Sequence, residues 1–459
     1  MSTTGRARRL DPGLLKLAGI LVLGAMAPLL DSTIVNVAIH TLGRDLHTTV
    51  ATVQWVSTGY LLALAMAVPV AGWSADRYGA RRMWLVALTL FLAGSVLSGL
   101  AWNIGTLVVF RVVQGVGGGL MLPILQTVLM RASGGRRIGR LMAVVTIPAL
   151  AGPILGPVVG GLIVGHLSWR WIFYVNVPFC VAAIWLARRG LPADEPRPGQ
   201  RLDVTGLLLV SPGVAALLYG LSRVADLGGF GHPAVWAPML AGVLLLAAFA
   251  AHAARSGRPL IDLRLFRDRA FAASSALMFL TGLAMFASML LLPLYFQQVR
   301  GATVVAAGLL LVPQGIGSLL ARGAGALTDR IGPRPVVLAA IVVTALGTLP
   351  FALSGPHANG WLLGAALVVR GLGLSAASMA VMIGAFTGLD HAAVPHASGI
   401  TRISQQLGGS AGTALLAVIL QRALTTETPA ASYAHTFTWT LALTAAALIP
   451  ALLLPRAHR

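Results

Sequence analysis

Charge is what this sequence has least of. Only 10% of its 459 residues are Asp, Glu, Lys or Arg, against roughly a quarter in soluble domains, and acids are the scarcer kind, 13 against 33 bases. Lysine is nearly missing, with Lys16 its single instance. One cysteine, Cys180, excludes an intramolecular disulfide, and the ten histidines fall in no ligand spacing such as HExxH. Redox and metal chemistry therefore have no foundation here, and no cofactor is expected. No GxxxxGK[ST] occurs; the glycine clusters at 115–119 and 315–325 sit inside apolar stretches with no strand before them, which argues against ATP as an energy source. Alternating segments of about ten residues are missing too, which excludes a transmembrane barrel.

What fills the chain instead is apolar sequence, 57% of all residues. Runs of spanning length fall at 14–39, 51–73, 83–102, 105–130, 138–165, 168–187, 204–222, 234–254, 271–295, 303–327, 335–354, 359–384, 397–420 and 433–455. They predict an all-α membrane protein of about fourteen helices. The first run is too long for a signal-peptide core and has no small-residue cleavage site after it, so it is expected to remain as a spanning helix. Of the arginines between the runs, 23 fall on one side, among them Arg77, Arg81, Arg131 and Arg330, and four on the other. The rich side is expected to be cytoplasmic, with both termini inside. The same bias accounts for the net charge of +20, so nucleic acid is not an expected partner; the lipid bilayer and a small molecule are.

The chain also repeats itself. "GWSADRYGARRMWLVA" at 72–87 is echoed by "GALTDRIGPRPVVLAA" at 325–340, with Gly72, Asp76, Arg77, Gly79 and Arg81 matched by Gly325, Asp329, Arg330, Gly332 and Arg334. An intramembrane arginine recurs further on, Arg111 and then Arg370. Two six-helix bundles, 1–187 and 271–459, joined by 188–270 with two extra, peripheral helices, form a transporter architecture with its site between the repeats.

One acid stands inside the first run, Asp31 in "LLDSTIVNVAI". A carboxylate in the membrane interior costs about 2.5–3.5 kcal/mol on insertion scales and marks a functional position. Helix rise puts Asp31 roughly 10 Å from the outer end of its helix, and Arg111 enters to a similar depth, so the two can face each other. The pair reads either as a proton-coupling acid with its modulating cation or as a static packing pair.

In "AGPILGPVVGG", Gly152, Gly156 and Gly160 share a helix face that admits a close neighbour, followed by Gly161, while Pro153 and Pro157 permit bending. Polar and aromatic residues that could flank a substrate path are Asn36, Gln54, Trp55, Tyr60, Gln114, Gln126, Tyr295, Gln297, Arg370, Arg402 and Gln405. Each reads more readily as a satisfied packing residue than as a substrate contact.

These stretches resemble the major facilitator superfamily, in its fourteen-helix drug:proton antiporter branch. "LDSTIVNVAI", "GWSADRYGARR", "RVVQGVGGG", "GPILGPVVGG" and "WRWIFYVNVP" are similar, in this order, to signatures of its first, second-to-third, fourth, fifth and sixth helices. Where the family pattern has Pro, Leu and a basic residue, this chain has His40, Ser74 and Ala80. The resemblance implies the major facilitator fold and a non-enzymatic, proton-coupled antiporter of a bacterial cytoplasmic membrane, exporting small lipophilic or amphipathic compounds. It also implies a conformational latch at Gly72, Asp76, Arg77, Gly79, Arg81, Asp329 and Arg330, and a leak-preventing antiporter motif at Gly152 to Gly161. An importer of a small metabolite anion, and a receptor or passive channel, remain open alternatives, as does an envelope partner beside a monomer.

Overall fold

Lipid offers backbone amides no hydrogen-bond partner, so spanning apolar segments fold as helices. The computed structural model describes residues 12–133, 156, 159–192, 196, 202–257, 259–353, 358–390 and 393–455, and these hold helices and no strand. The main helices are α1 (Pro12–Ile34), α2 (Val50–Tyr78), α3 (Ala80–Leu100), α4 (Ile104–Ser133), α5 (Asn176–Gly190), α6 (Val204–Asp226), α7 (Pro233–Arg255), α8 (Arg269–Gln298), α9 (Val304–Leu310), α10 (Val312–Leu320), α11 (Ala324–Ile331), α12 (Pro333–Leu353), α13 (Gly360–Phe386), α14 (Val394–Thr426) and α15 (Pro429–Ala446).

Among the described residues, twelve helices are long and apolar enough to cross a membrane, two fewer than the fourteen expected. The expected run 138–165 falls mostly outside the described residues. The run 303–327 is present in pieces: α9, α10, a 3-10 turn at Ala321–Gly323, and α11. Pro313 in the first turn of α10 and the glycines around it break the hydrogen-bond ladder that one long helix would need.

The same packing occurs twice. Helix α4 lies against α1, α2 and α3, and α1 also lies against α5; α13 lies against α8, α10, α11 and α12, and α8 also lies against α15. The turns that begin each repeat, Gly79 between α2 and α3 and Gly332 between α11 and α12, have φ of +89° and +84°, where a side chain would be strained.

The repeats meet through α14, which packs on α2 and α4. A Cβ at Gly72 would lie 2.8 Å from that of Pro395, and the Gln126 amide touches the sulfur of Met382 at 4.0 Å. Both contacts lie toward the arginine-rich end. The linker helices are not both peripheral. Helix α6 fills the seam between α2 and α14: Ser211 Oγ donates to the Met66 carbonyl (2.8 Å), and Val210, Val214 and Leu218 share one apolar cluster with Met130, Met379 and Ile400. Asp203 caps α6 through Gly206 N (2.8 Å) and also takes bonds from His252 Nε2 (2.8 Å) and Leu260 N (3.1 Å). Burial pushes its carboxyl up, but these three bonds outweigh it and hold the group below the usual carboxylate range.

Candidate functional site

Asp31 projects from α1 into a fully closed polar pocket among α1, α2, α3, α4 and α5. Its Oδ2 accepts from Arg111 Nη1 at 2.5 Å. Its Oδ1 accepts from Gln114 Nε2 and Asn176 Nδ2, both at 3.0 Å. Arg111 spends its remaining donors on the Val56 carbonyl (3.1 Å) and Gln114 Oε1 (2.8 Å), and its guanidinium lies over the Tyr60 ring, 4.1 Å from the centroid. Tyr60 Oη in turn donates to the Pro28 carbonyl (3.3 Å). Ser95 Oγ receives Gln114 and Asn176 and donates to the Phe173 carbonyl (2.8 Å). Exposure of Asp31 and Arg111 is 0% and 1%.

Both carboxylate oxygens of Asp31 are engaged; breaking one side of the pair leaves a naked buried charge.

The sequence reading named Asp31, Arg111, Gln114 and Tyr60, and the structure brings all four together. Asn176 and Ser95 were missed. Their only signal was a polar residue inside an apolar run, which elsewhere in this chain means ordinary back-bonding, as in Thr127 to the Pro123 carbonyl.

The glycine face of the fifth run is described at Gly156, Gly160 and Gly161; Gly152, Pro153 and Pro157 lie outside the described residues. A Cβ at Gly156 would collide with Thr33, and one at Gly160 with Ile34. Both contacts fall within one turn of Asp31. Gly161 faces open space.

At the arginine-rich end, the buried Asp76 pairs with Arg131 of α4, and Arg81 Nη2 donates to the Arg188 carbonyl at 2.5 Å. Arg77 lies over the Tyr78 ring, 5.7 Å away. In the second copy, Asp329 and Arg330 are exposed.

The remaining candidates scatter. Trp55 stacks on Tyr219 of α6, centroids 5.6 Å apart. Tyr295 is buried in an aromatic cluster with Phe296, Phe351, Tyr433 and Phe437. Gln126 sits at the Met382 contact. Gln54 and Gln297 are half-buried, and the side chain of Asn36 lies outside the described residues. Arg402 Nη1 donates to Gln405 Oε1 at 3.1 Å. Arg170 is tied to the Gly99 and Ala101 carbonyls (3.1 and 2.7 Å).

Arg370 is buried with neutral partners: Thr348 Oγ1 (3.1 Å), Gln314 Oε1 (3.3 Å) and Ser288 Oγ. Gly94 abuts the backbone of Gln114 and Gly347 that of Arg370, while Gly117 meets Ala87 and Phe91 as Gly373 meets Ala340 and Thr344. Arg370 therefore stands at the second-repeat position of Gln114, one turn from that of Arg111. Ser288 stands where Asp31 stands, so the acid belongs to one repeat alone. Among the described residues no cluster could hold a metal ion.

A model of the Major Facilitator Superfamily matches residues 21–413. A multidrug resistance protein B homolog of Mycobacterium tuberculosis is 42% identical over 416 residues, covering 90% of this chain and 77% of its own. The tetracenomycin C resistance and export protein of Streptomyces glaucescens is 32% identical over 403 residues, 86% of this chain and 74% of its own. Among solved structures, the human organic anion transporter MFSD10 matches with a TM-score of 0.65 at 16% identity, covering 97% of this chain and 100% of its own. At that identity the likeness shows the fold alone.

Proposed function

Because the chain belongs to the major facilitator superfamily, and is a multi-pass membrane transporter rather than an enzyme, we propose that it is a proton-coupled antiporter exporting small lipophilic or amphipathic compounds. Its relatives named for multidrug resistance and for tetracenomycin C export support the substrate class, and their bacterial sources support a cytoplasmic membrane. The arginine-rich end is then cytoplasmic, with both termini there. The architecture proposed is fourteen spans, counting the run 303–327, present as α9 to α11, and the expected run 138–165, which lies mostly outside the described residues: bundles 1–187 and 271–459 with linker 188–270.

The observation that carries the reading is the single acid of the membrane interior, held by one cation that cannot lose its charge. With Arg111 engaged, Asp31 is ionised and sealed from water. A rocking motion that opens the pocket and draws Arg111 away leaves a carboxyl that takes up a proton; reclosing returns Arg111 and expels it. Each proton moved through 100 mV supplies about 2.3 kcal/mol.

The Asp76–Arg131 pair and the Gly72–Pro395 contact hold the inner ends together in this conformation, in the manner of a latch. The Gly156 and Gly160 contacts on α1 seal the flank of Asp31, which restrains proton leak. Substrate is taken up between the halves, where Arg402 of α14 lies near Tyr60 of α2.

The test is dye export from proteoliposomes energised by a pH gradient, with a panel of cationic, neutral and anionic fluorescent dyes. Asp31→Asn is expected to lose gradient-driven export at least tenfold while inserting normally. Unaltered export by that variant overturns the reading, parallel dye and proton fluxes point to import, and flux without saturation to a channel.

A further inference from the structure

We infer that Arg402 is the group that selects substrates: it binds a hydrogen-bond acceptor, carbonyl or carboxylate, on a compound without positive charge, and it repels lipophilic cations. The inference deepens the export reading and rests on it.

Residues 402–406 of α14 read Arg-Ile-Ser-Gln-Gln, four polar residues in the body of a spanning helix, and all five are half-buried. Such side chains are costly against lipid, so those not covered by protein belong on a polar path, and Arg402 is the one placed toward Tyr60 of α2. The stretch belongs to the helix that joins the repeats, packing on α2 and α4.

Arg402 is the cation of that path. Arg111 has Asp31, Arg131 has Asp76, and Arg370 has three neutral acceptors. Arg402 has one bond, from Nη1 to its own helix neighbour Gln405 (3.1 Å). Its Nε is buried without an acceptor, and among the described residues no carboxylate pairs with it. Buried N–H groups that lack acceptors are costly, so an acceptor on the transported molecule is what this fork is built to receive.

Its position sets the selectivity. Arg402 lies within electrostatic reach of Tyr60, the ring that carries Arg111. The Arg111–Asp31 pair is neutral as a unit and does not offset Arg402, so a cation entering beside Arg402 is opposed.

The experiment is equilibrium binding to the full-length protein in lipid nanodiscs, without a gradient, of three matched radiolabelled probes: 2-naphthoate, 2-naphthamide and 2-naphthyl-trimethylammonium. The wild type is expected to bind naphthoate and naphthamide saturably and the ammonium probe about tenfold or more weakly. Arg402→Gln is expected to lose naphthoate affinity about tenfold and to gain the ammonium probe, a gain that misfolding cannot produce. If Arg402→Gln binds nothing, Arg402→Lys decides, since it keeps the charge and must keep the exclusion of the cation. The inference is overturned if the wild type binds the ammonium probe as tightly as naphthamide, if naphthoate does not bind saturably, or if the substitution leaves the order unchanged. Binding is read without protons moving, so loss of gradient-driven export in the dye assay is a separate failure.

Discussion

At the scale of the residue, the account depends on how a charge survives in a closed helical bundle. Asp31 is surrounded by Arg111, Gln114 and Asn176, and each donates to it. Removing the cation leaves the carboxylate buried and unpaired, which costs about 3–5 kcal/mol. Arg111→Gln is therefore expected to lower the unfolding midpoint in detergent strongly. Adding Asp31→Asn in the same chain should restore much of the loss, because the pocket is then neutral; a double variant no more stable than Arg111→Gln would mean that the two residues do not act as a pair. The charged residues of this site were legible because a charge inside an apolar run has few explanations. Asn176 and Ser95 were not, because a neutral polar residue in such a run is ordinarily satisfied by its own helix. Their roles depend on α3 and α5 reaching α1, which no local pattern states.

At the scale of the element, most helices follow from run length alone, and the departures have local causes. Pro313 and the 3-10 turn at Ala321–Gly323 divide the run 303–327 into short helices. Close crossings explain several glycines: Gly317 meets the backbone of Val368, and Gly371 that of Gln314, so α10 and α13 touch backbone to backbone. The sequence marked 204–222 as a spanning helix but not its place in the seam, since packing partners leave no trace in hydropathy.

The start of that helix gives a prediction. Asp203 caps α6 and gathers His252 and Leu260, so Asp203→Ala is expected to cost about 1 kcal/mol. The carboxyl is held below its unfolded value of about 3.9, so its contribution is fully present above that pH and is lost as pH falls through the folded value. Thermal unfolding at neutral pH should separate the variant from the wild type, and the separation should shrink below about pH 4. A gap that widens on acidification would contradict the assignment.

At the scale of the whole molecule, the repeat in the sequence became a repeat in packing, with one difference that the linear alignment concealed. The recurrence of an intramembrane arginine, Arg111 and then Arg370, does not mark equivalent positions. The glycine contacts instead pair Arg370 with Gln114, and the bond from Arg370 to Ser288 matches that from Gln114 to Asp31, so the buried acid has no counterpart in the second repeat. Under the proposed function, proton chemistry lies at Asp31 in the first repeat and substrate selection at Arg402 in the second, on the helix α14 that packs on α2 and α4. The inner ends meet at Gly72 and Pro395, and at Gln126 and Met382, which places the described conformation with its arginine-rich side shut. Under the proposed function, release of those contacts is the motion that opens the Asp31 pocket.

The most direct test follows Asp31 itself. Infrared difference spectroscopy reads the protonated-carboxyl stretch, assigned by its loss in Asp31→Asn, in protein carrying Gln126→Cys and Met382→Cys. With the pair cross-linked, no such band is expected near neutral pH; with the cross-link reduced, the band should appear and grow as pH is lowered. A band with the same pH dependence in both states would contradict the claim that closing the inner ends drives the proton off Asp31.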